Sequence, residues 1–472
     1  MEQTQKKEMD LGTGSIGKLM LRLSVPAIVA QLINALYNIV DRIYIGQGVG
    51  DTALTGLGVA FPIIMLISAF ASLIGMGGAP LASIKMGEQN KEGGEKILGN
   101  CTTMLFGVAV VLTAVFLIFG RPMLMLFGAT PNTIDYAADY LNIYVAGTIF
   151  VQFALGLNAF ITAQGFAKTG MITVAIGAVI NIVLDPVFIF LFDMGVKGAA
   201  LATVISQAVS AVWVVRFLVG KRTVLKIRRS CLRLSWKIML PILALGLSPF
   251  IMQSTESILN ITFNASLKHY GGELAVGAMT ICSTVMQLLN MPLMGLTQGA
   301  APIISYNFGA RKFDRVKRAF KLLLISCVTV STVIWVFLMV FPNIFVMLFN
   351  NKPQLVDITV WGLRIYTAAL FIMGVQIGCQ QTFVALGQAK ISMFLALLRK
   401  VVLLIPLILI LPLFFSDKVF AVFLAEPVAD VLAAGTTATV FILQFKKILA
   451  RAQAELPDPS APVPARTQPE QS

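Results

Sequence analysis

Apolar runs of about twenty residues recur along almost the whole chain, from Ile16 to Phe445, and no other feature restricts the possible folds so strongly. A bilayer core of about 30 Å takes roughly 20 apolar residues to cross as a helix. Twelve such runs can be read, at approximately 17–42, 54–78, 97–119, 134–163, 168–192, 197–219, 239–265, 273–297, 314–341, 356–385, 391–415 and 419–445. They are continuous, as in Met104 to Phe119 and Val401 to Phe415, and lack the alternation of a membrane barrel strand. Lipid offers no partner to an open backbone, so helices are the spanning element. With 57% hydrophobic and 12% charged residues, the chain reads as an integral membrane protein.

The charges that remain are sorted by side. The connection from Lys221 to Lys237 holds Lys221, Arg222, Lys226, Arg228, Arg229, Arg233 and Lys237, and the one after the eighth run holds Arg311, Lys312, Arg315, Lys317 and Arg318. The connections from Gly120 to Pro131 and from Phe341 to Pro353 carry only Arg121 and Lys352 as basic residues. Basic loops stay in the cytoplasm, so both termini are expected there, in a bacterial inner membrane. The net charge of +14 therefore reports topology and not a nucleic-acid partner. The first run continues past Ile33, too long for a cleaved signal, and no processing is expected.

Laid on itself with a shift of 222 residues, the sequence matches without gaps in four places. Gln31 and Asn38 meet Gln253 and Asn260; Gly77, Ala79, Pro80, Ser83 and Gly87 meet Gly299, Ala301, Pro302, Ser305 and Gly309. Leu141, Ile143, Tyr144 and Ala146 meet Leu363, Ile365, Tyr366 and Ala368, and Ala163, Gly165, Ala167, Lys168 and Met171 meet Ala385, Gly387, Ala389, Lys390 and Met393. The expected fold is all-α: twelve transmembrane helices in two six-helix bundles. An even number of spans per half starts both halves from the same side, which implies a pseudo-two-fold axis along the membrane normal and a central cavity. The expected layout is a cytoplasmic segment 1–16, an N-lobe 17–220 with helices 1–6, a basic cytoplasmic linker 221–238, a C-lobe 239–447 with helices 7–12, and a disordered Pro-rich cytoplasmic tail 448–472.

An ionisable group at membrane depth costs at least about 2.5 kcal/mol on insertion scales, so each one needs a reason. In the first run Gln31, Asn34, Asn38 and Asp41 are spaced by three, four and three, a polar stripe on one helical face that would line the cavity. The spacing leaves a second reading open, in which Asp41 sits at the outer helix end and pairs with Arg42. The fifth run contains Asn181 and Asp185 four apart, and Pro186 frees a backbone carbonyl, giving an oxygen-rich pocket. Packing against a neighbouring helix is the alternative for this Asp, and Thr203 and Gln207 on the next run suit either. In the seventh run the stripe returns as Gln253, Glu256 and Asn260, with Glu256 replacing Asn34 and Phe263 standing where Asp41 would be. Desolvation favours the protonated form of a carboxylate, and neighbouring oxygens favour sodium, so either ion would compete there with a cationic substrate. One charge crossing about 100 mV releases about 2.3 kcal/mol, enough for a roughly fiftyfold gradient.

Other signals are weaker. Arg399 and Lys400 fall about nine residues into the eleventh run, where long stems can snorkel to the cytoplasmic interface. The five cysteines show no paired spacing and read as packing residues. His269 is expected in an outer loop. Gly12 to Leu19 nearly matches a P-loop, yet Leu19 stands where Ser or Thr should be and no strand precedes it. The thirty-two Phe and twenty-one Met suit a lipid-facing surface as well as an adaptable pocket for flat cations.

The segments Y-N-I-V-D-R-I-Y-I-G at Tyr37 to Gly46, A-V-I-N-I-V-L-D-P-V-F-I-F at Ala178 to Phe190, G-V-K-G-A-A-L-A-T-V-I-S-Q at Gly195 to Gln207, and Gly299 to Gly309 resemble the multidrug and toxic compound extrusion family, in its MepA-like bacterial branch. The resemblance covers about residues 11 to 450. It implies that Asp41, Asn181, Asp185 and Thr203 form an amino-terminal site for a proton or sodium ion, with Asn158 lining the same lobe. Some members of that family add a carboxy-terminal site from a Glu in the seventh span and an Asp in the tenth; Glu256 matches the first, but the tenth span here offers Gln376, Gln380 and Gln381. The implied function is a multidrug efflux antiporter that exports organic cations against inward H+ or Na+, with protons preferred. It would work as a monomer without a cofactor, and sodium at Asp41 and Asp185 is the one metal left open. The alternative is a flippase for lipid-linked precursors, whose cavity should carry Arg or Lys. No triad or metal-ligand spacing supports an enzyme, and a purely structural or receptor role gives no reason for the buried carboxylates.

Overall fold

A computed structural model describes residues 11–347 and 353–454 of the chain. All its regular elements are helical: α1 (Ile16–Gly48), α2 (Asp51–Gly87), α3 (Lys91–Leu126), α4 (Ile134–Ala146), α5 (Thr148–Ala163), α6 (Ala167–Pro186), α7 (Gly195–Val219), α8 (Trp236–Gly309), α9 (Phe313–Val340), α10 (Pro342–Met347), α11 (Pro353–Tyr366), α12 (Leu370–Ala385), α13 (Ala389–Leu397), α14 (Ile405–Phe414) and α15 (Lys418–Ala454). At about 1.5 Å per residue an unbroken α8 would be roughly 110 Å long, several bilayers deep. It breaks instead at Gly272, whose φ of 67° and ψ of −163° reverse the chain, so α8 is two spans. The pairs α4–α5 and α11–α12 are each one span bent by 59° and 47°. With these, the nine long apolar helices among the described residues become the expected twelve crossings.

The 222-residue repeat is written in the backbone. Gly50 and Gly272 both have positive φ, as do Gly165 and Gly387, and so do the non-glycine residues Gln89 and Arg311, at 60° and 59°. Each pair is 222 residues apart and sits at a helix end, where at Gly165, Gly387, Gln89 and Arg311 the left-handed turn lets the following N–H groups cap the last carbonyls. Hydrogen bonds repeat likewise: Ser83 Oγ donates to Ala163 O at 3.3 Å, and Ser305 Oγ donates to Ala385 O at 2.7 Å.

The halves meet along a seam at the end of the bundle that carries the basic connections. There glycines bring backbones together: a Cβ on Gly77 would lie 2.2 Å from Ile242 O, one on Gly246 1.7 Å from Leu73 O, one on Gly299 2.5 Å from Ser24 N, and one on Gly295 2.6 Å from Ile28 N. The start of α1 (Ile16, Leu19, Met20, Leu23) packs into the core of the second half, and Ile242 near the start of α8 packs into the core of the first. Higher up, Gln253 Nε2 donates to Ser72 Oγ at 2.8 Å and Phe70 meets Phe250 at 5.0 Å. Beyond that level Asn38, Asn260 and the side chain of Glu256 are exposed, and a cleft opens between the halves.

One boundary, the start of the tail, differs from the sequence reading, and the linker and the first described residues are packed against the lobes. The basic linker is ordered against the first half: Gln164 Oε1 accepts from Val224 N, Leu225 N and Thr223 Oγ1 at 2.8–2.9 Å, and Glu95 pairs with Arg228 at 2.8 Å. Helix α15 runs to Ala454, so residues 448–454 of the expected tail are helical; residues 455–472, like 1–10, lie outside the described residues. Residues 11–14 are held by the second half, where Leu11 O and Gly14 O accept from Arg315 and Gly12 O from Lys312. This stretch presents carbonyls to cations, the reverse of a phosphate cradle, which agrees with rejecting the P-loop match. His269 is helical, in α8 two residues before Gly271 and not in a loop, with its ring 4.7 Å from that of Tyr270. All five cysteines are free and buried.

Candidate functional site

The first half gathers its polar groups where α1, α6 and α7 converge. Asn181 and Asp185 lie one turn apart on α6 and are 1% and 0% exposed. Pro186 ends the regular part of α6, leaves Ile182 O without its helical donor, and leads into a π-helical turn at Val187–Leu191. Asn181 Nδ2 donates to Asp185 Oδ1 at 3.2 Å and to Thr203 Oγ1 of α7 at 3.3 Å. Asp41 enters from α1, 8% exposed and within hydrogen-bonding reach of Asp185. Arg42 sets its guanidinium 5.1 Å from the centre of the Phe61 ring and gives no hydrogen bond to Asp41 Oδ1, so the reading of Asp41 as held in the interface by pairing with Arg42 does not describe this structure. Tyr37 and Tyr140 complete the surround, with the Tyr140 hydroxyl in reach of Thr203.

Asp41, Asn181, Asp185 and Thr203 thus form one cluster. Three of its oxygens, Asp41 Oδ1, Asn181 Oδ1 and Asp185 Oδ2, are fully buried and receive no protein donor. Buried acceptors are normally satisfied, and leaving one bare costs about 1–3 kcal/mol. Two carboxylates and an amide oxygen with free lone pairs suit a small cation or a proton shared between the acids.

The polar stripe of α1 keeps one helical face but meets two surroundings along it. Asp41 turns into the lobe, whereas Asn38 is exposed and Gln31 and Asn34 are half-buried along the cleft, with Asn38 Nδ2 donating to Asn34 O at 2.6 Å. Asn158 stands apart from the cluster: its Nδ2 donates to Gly170 O, eleven residues or about 16 Å nearer the basic end than Asn181. In the second half Gln253 bridges to Ser72 and Asn260 is exposed.

Glu256 belongs to a second cluster that the sequence reading missed. Its Oε1 is 2.5 Å from Lys400 Nζ. Arg399 Nη2 lies 2.7 Å from Asp430 Oδ1 and 3.2 Å from Glu426 Oε1, with Nε also donating to Asp430. Arg399 and Lys400 are each 6% exposed, so they do not snorkel to an interface. They open a π-helical segment, Leu398–Leu404, which widens the helix and turns both cations inward to three acids. A signal was available in E-P-V-A-D at Glu426 to Asp430, two acids four apart inside an apolar run. Gln376 and Gln380 are buried, and Gln380 reaches Ser248 at 3.4 Å. Among the described residues no group of three or more His, Cys, Asp or Glu has the arrangement of a metal centre.

Comparisons with known proteins agree with this architecture. The chain is 26% identical over 421 residues to the multidrug export protein MepA of Staphylococcus haemolyticus, covering 89% of this chain and 92% of that one. It is equally similar to the protein of that name from Staphylococcus saprophyticus, over 89% and 93%. Among solved structures, a crystal structure of MATE in the bent conformation superposes with a TM-score of 0.89 at 23% identity, over 95% of this chain and 99% of that one. A MOP superfamily transporter from Pyrococcus furiosus, described as having a binding pocket of reversed polarity, superposes with a TM-score of 0.88 at 24% identity, over 94% and 98%. The MatE family profile matches twice, at residues 26–187 and 249–410, two stretches offset by nearly the repeat length. Two matches that together span more than half of the chain, on a twelve-helix two-lobed membrane fold, make the chain a member of the MatE family.

Proposed function

We propose that the protein is an efflux antiporter that exports organic cations from the cytoplasm in exchange for an inward-moving ion bound at Asp41, Asn181, Asp185 and Thr203. One observation carries this reading: the three unpartnered oxygens of Asp41, Asn181 and Asp185 share one buried pocket, a place that a proton or a sodium ion completes. The names of the staphylococcal relatives support multidrug export as the activity. The seam at the basic end and the cleft above it correspond to one of the two states that alternating access requires, the one closed toward the cytoplasm. Ion binding in the N-lobe and cation binding in the cleft then favour opposite states, which is all that exchange needs.

The lipid-flippase reading rests on cavity cations, and the two within the C-lobe, Arg399 and Lys400, are matched by Glu256, Glu426 and Asp430. With Asp41 and Asp185, the two clusters together hold five acids against two bases among the described residues, a balance that suits a cationic substrate. The deciding experiment measures accumulation of a fluorescent organic cation in drug-hypersensitive bacteria that express wild type or Asp41→Asn, with proton and sodium gradients collapsed separately. The wild type should lower accumulation, and the variant and one of the two collapses should restore it. Unchanged accumulation of several cations by wild type would reject the reading.

A further inference from the structure

The C-lobe cluster is uneven in a way that cation export alone does not explain. Arg399, Glu426 and Asp430 are sealed together, with side chains 8%, 6% and 3% exposed. The remaining pair is split between interior and cleft: the Lys400 side chain is 7% exposed and that of Glu256 58%, although their charged atoms are 2.5 Å apart. Glu256 faces the space between the lobes, because Gln253, one turn below on the same face, bridges to Ser72 of the other lobe, and Asn260 above it is exposed. The carboxylate is therefore offered to the cleft with an ammonium bound behind it.

A carboxylate held in this way has one oxygen engaged and one free. Coming from the cleft, a delocalised organic cation without N–H donors cannot replace the short hydrogen bond that Lys400 makes, and it also meets that ammonium's charge. We propose that Lys400 is a tethered counter-ion, which occupies Glu256 in the unloaded cleft and, by competing with the substrate, sets the affinity of this carboxylate for organic monocations. The proposal rests on the reading of the protein as a cation exporter. A unit charge roughly 6 Å away at an effective dielectric of 20 weakens cation binding by about 100-fold. When substrate draws Glu256 away, Lys400 keeps a counter-charge nearby: Glu426 lies within its electrostatic range and holds Arg399 through a single 3.2 Å contact, whereas Asp430 holds it through two. Weak binding serves export, because a cation that is held too tightly is not released.

The test is equilibrium binding of tetraphenylphosphonium to the full chain in lipid nanodiscs, with cooperative thermal unfolding as the check of folding. Lys400→Met should bind about 100-fold tighter than wild type, and Lys400→Gln, which keeps a polar group in the lobe, serves if the Met variant does not fold. Lys400→Arg should stay within about threefold of wild type, and adding Glu256→Gln to Lys400→Met should remove the gain. Wild-type binding that Lys400→Met and Lys400→Gln leave unchanged or weaken overturns the role of Lys400 and leaves cation export standing. Folded wild type and folded variants that all fail to bind tetraphenylphosphonium overturn the role of Lys400 together with the export reading on which it rests.

Discussion

Replacing Asp185 by Asn should abolish ion-driven export while leaving the fold intact. The side chain is 0% exposed, its Oδ1 accepts from Asn181 Nδ2 at 3.2 Å, and its Oδ2 is one of the three unpartnered oxygens. Asparagine has the same shape, so Asn181 keeps its acceptor, while the new NH2 offers a donor to the Asp41 carboxylate within its reach. One added hydrogen bond is worth about 0.5–1.5 kcal/mol, so the unfolding temperature should hold or rise. Ion binding loses a full charge: at about 4 Å and an effective dielectric of 20 that is about 4 kcal/mol, or roughly a thousandfold in affinity. The assay is uptake of tetraphenylphosphonium into proteoliposomes driven by an imposed proton or sodium gradient, with the half-saturating ion concentration as readout. A shift of less than tenfold in a well-folded Asp185→Asn protein would refute the assignment of the coupling ion to this pocket.

Three further changes test other parts of the structure. Gly246→Val would drive a side chain against Leu73 O at the seam, so the closed state should be lost and transport with it, whereas Gly58→Val, which meets nothing within 4 Å, should transport normally; both are read by cation efflux. Arg399→Met leaves Glu426 and Asp430 buried without their cation and should destabilise the protein by about 3–5 kcal/mol in denaturant or thermal unfolding, with most of the loss recovered in Arg399→Met/Glu426→Gln/Asp430→Asn. Gln164→Ala removes three hydrogen bonds from the linker, about 2–3 kcal/mol in all, so tryptic cleavage at Arg228 or Arg229 should be roughly 30- to 150-fold faster than in wild type.

Much of this architecture was legible because repeats and lipid leave strong marks on a sequence. A run of apolar residues has one solution in a bilayer, and a gapless shift of 222 residues fixes two similar halves down to the left-handed turns at Gly50 and Gly272. The pairing of Asn181 with Asp185 was also readable, since four residues make one helical turn. What was not legible depends on which helices touch. Glu256 and Lys400 are 144 residues apart, and Arg399 meets Asp430 across 31, distances at which spacing carries no information. A count of residues along a regular helix places Arg399 and Lys400 near the interface, whereas the π-helical segment at Leu398–Leu404 turns them inward. Spacing alone groups Asp41 with Asn38 on one face of α1, and only the packing of α6 against the upper part of that face buries Asp41 beside Asp185.

The seam at the basic end has a kinetic meaning. Its contacts come in symmetry-related pairs, Gly77 on Gly246 with Gly299 on Ser24, and Gly87 on Tyr306 with Gly309 on Ile84, and each is made largely by main chain. At these four contacts few rotamer-rich side chains are caught when the surfaces meet, so this part of the seam adds little ordering entropy to closing. Because the pairs flank one axis, a rigid rotation would part both sides at once, and in the exchange proposed above a half-open door through which protons could leak would not be a resting place. A membrane that lives on its ion gradient can tolerate a fast gate only if that gate is also all-or-none.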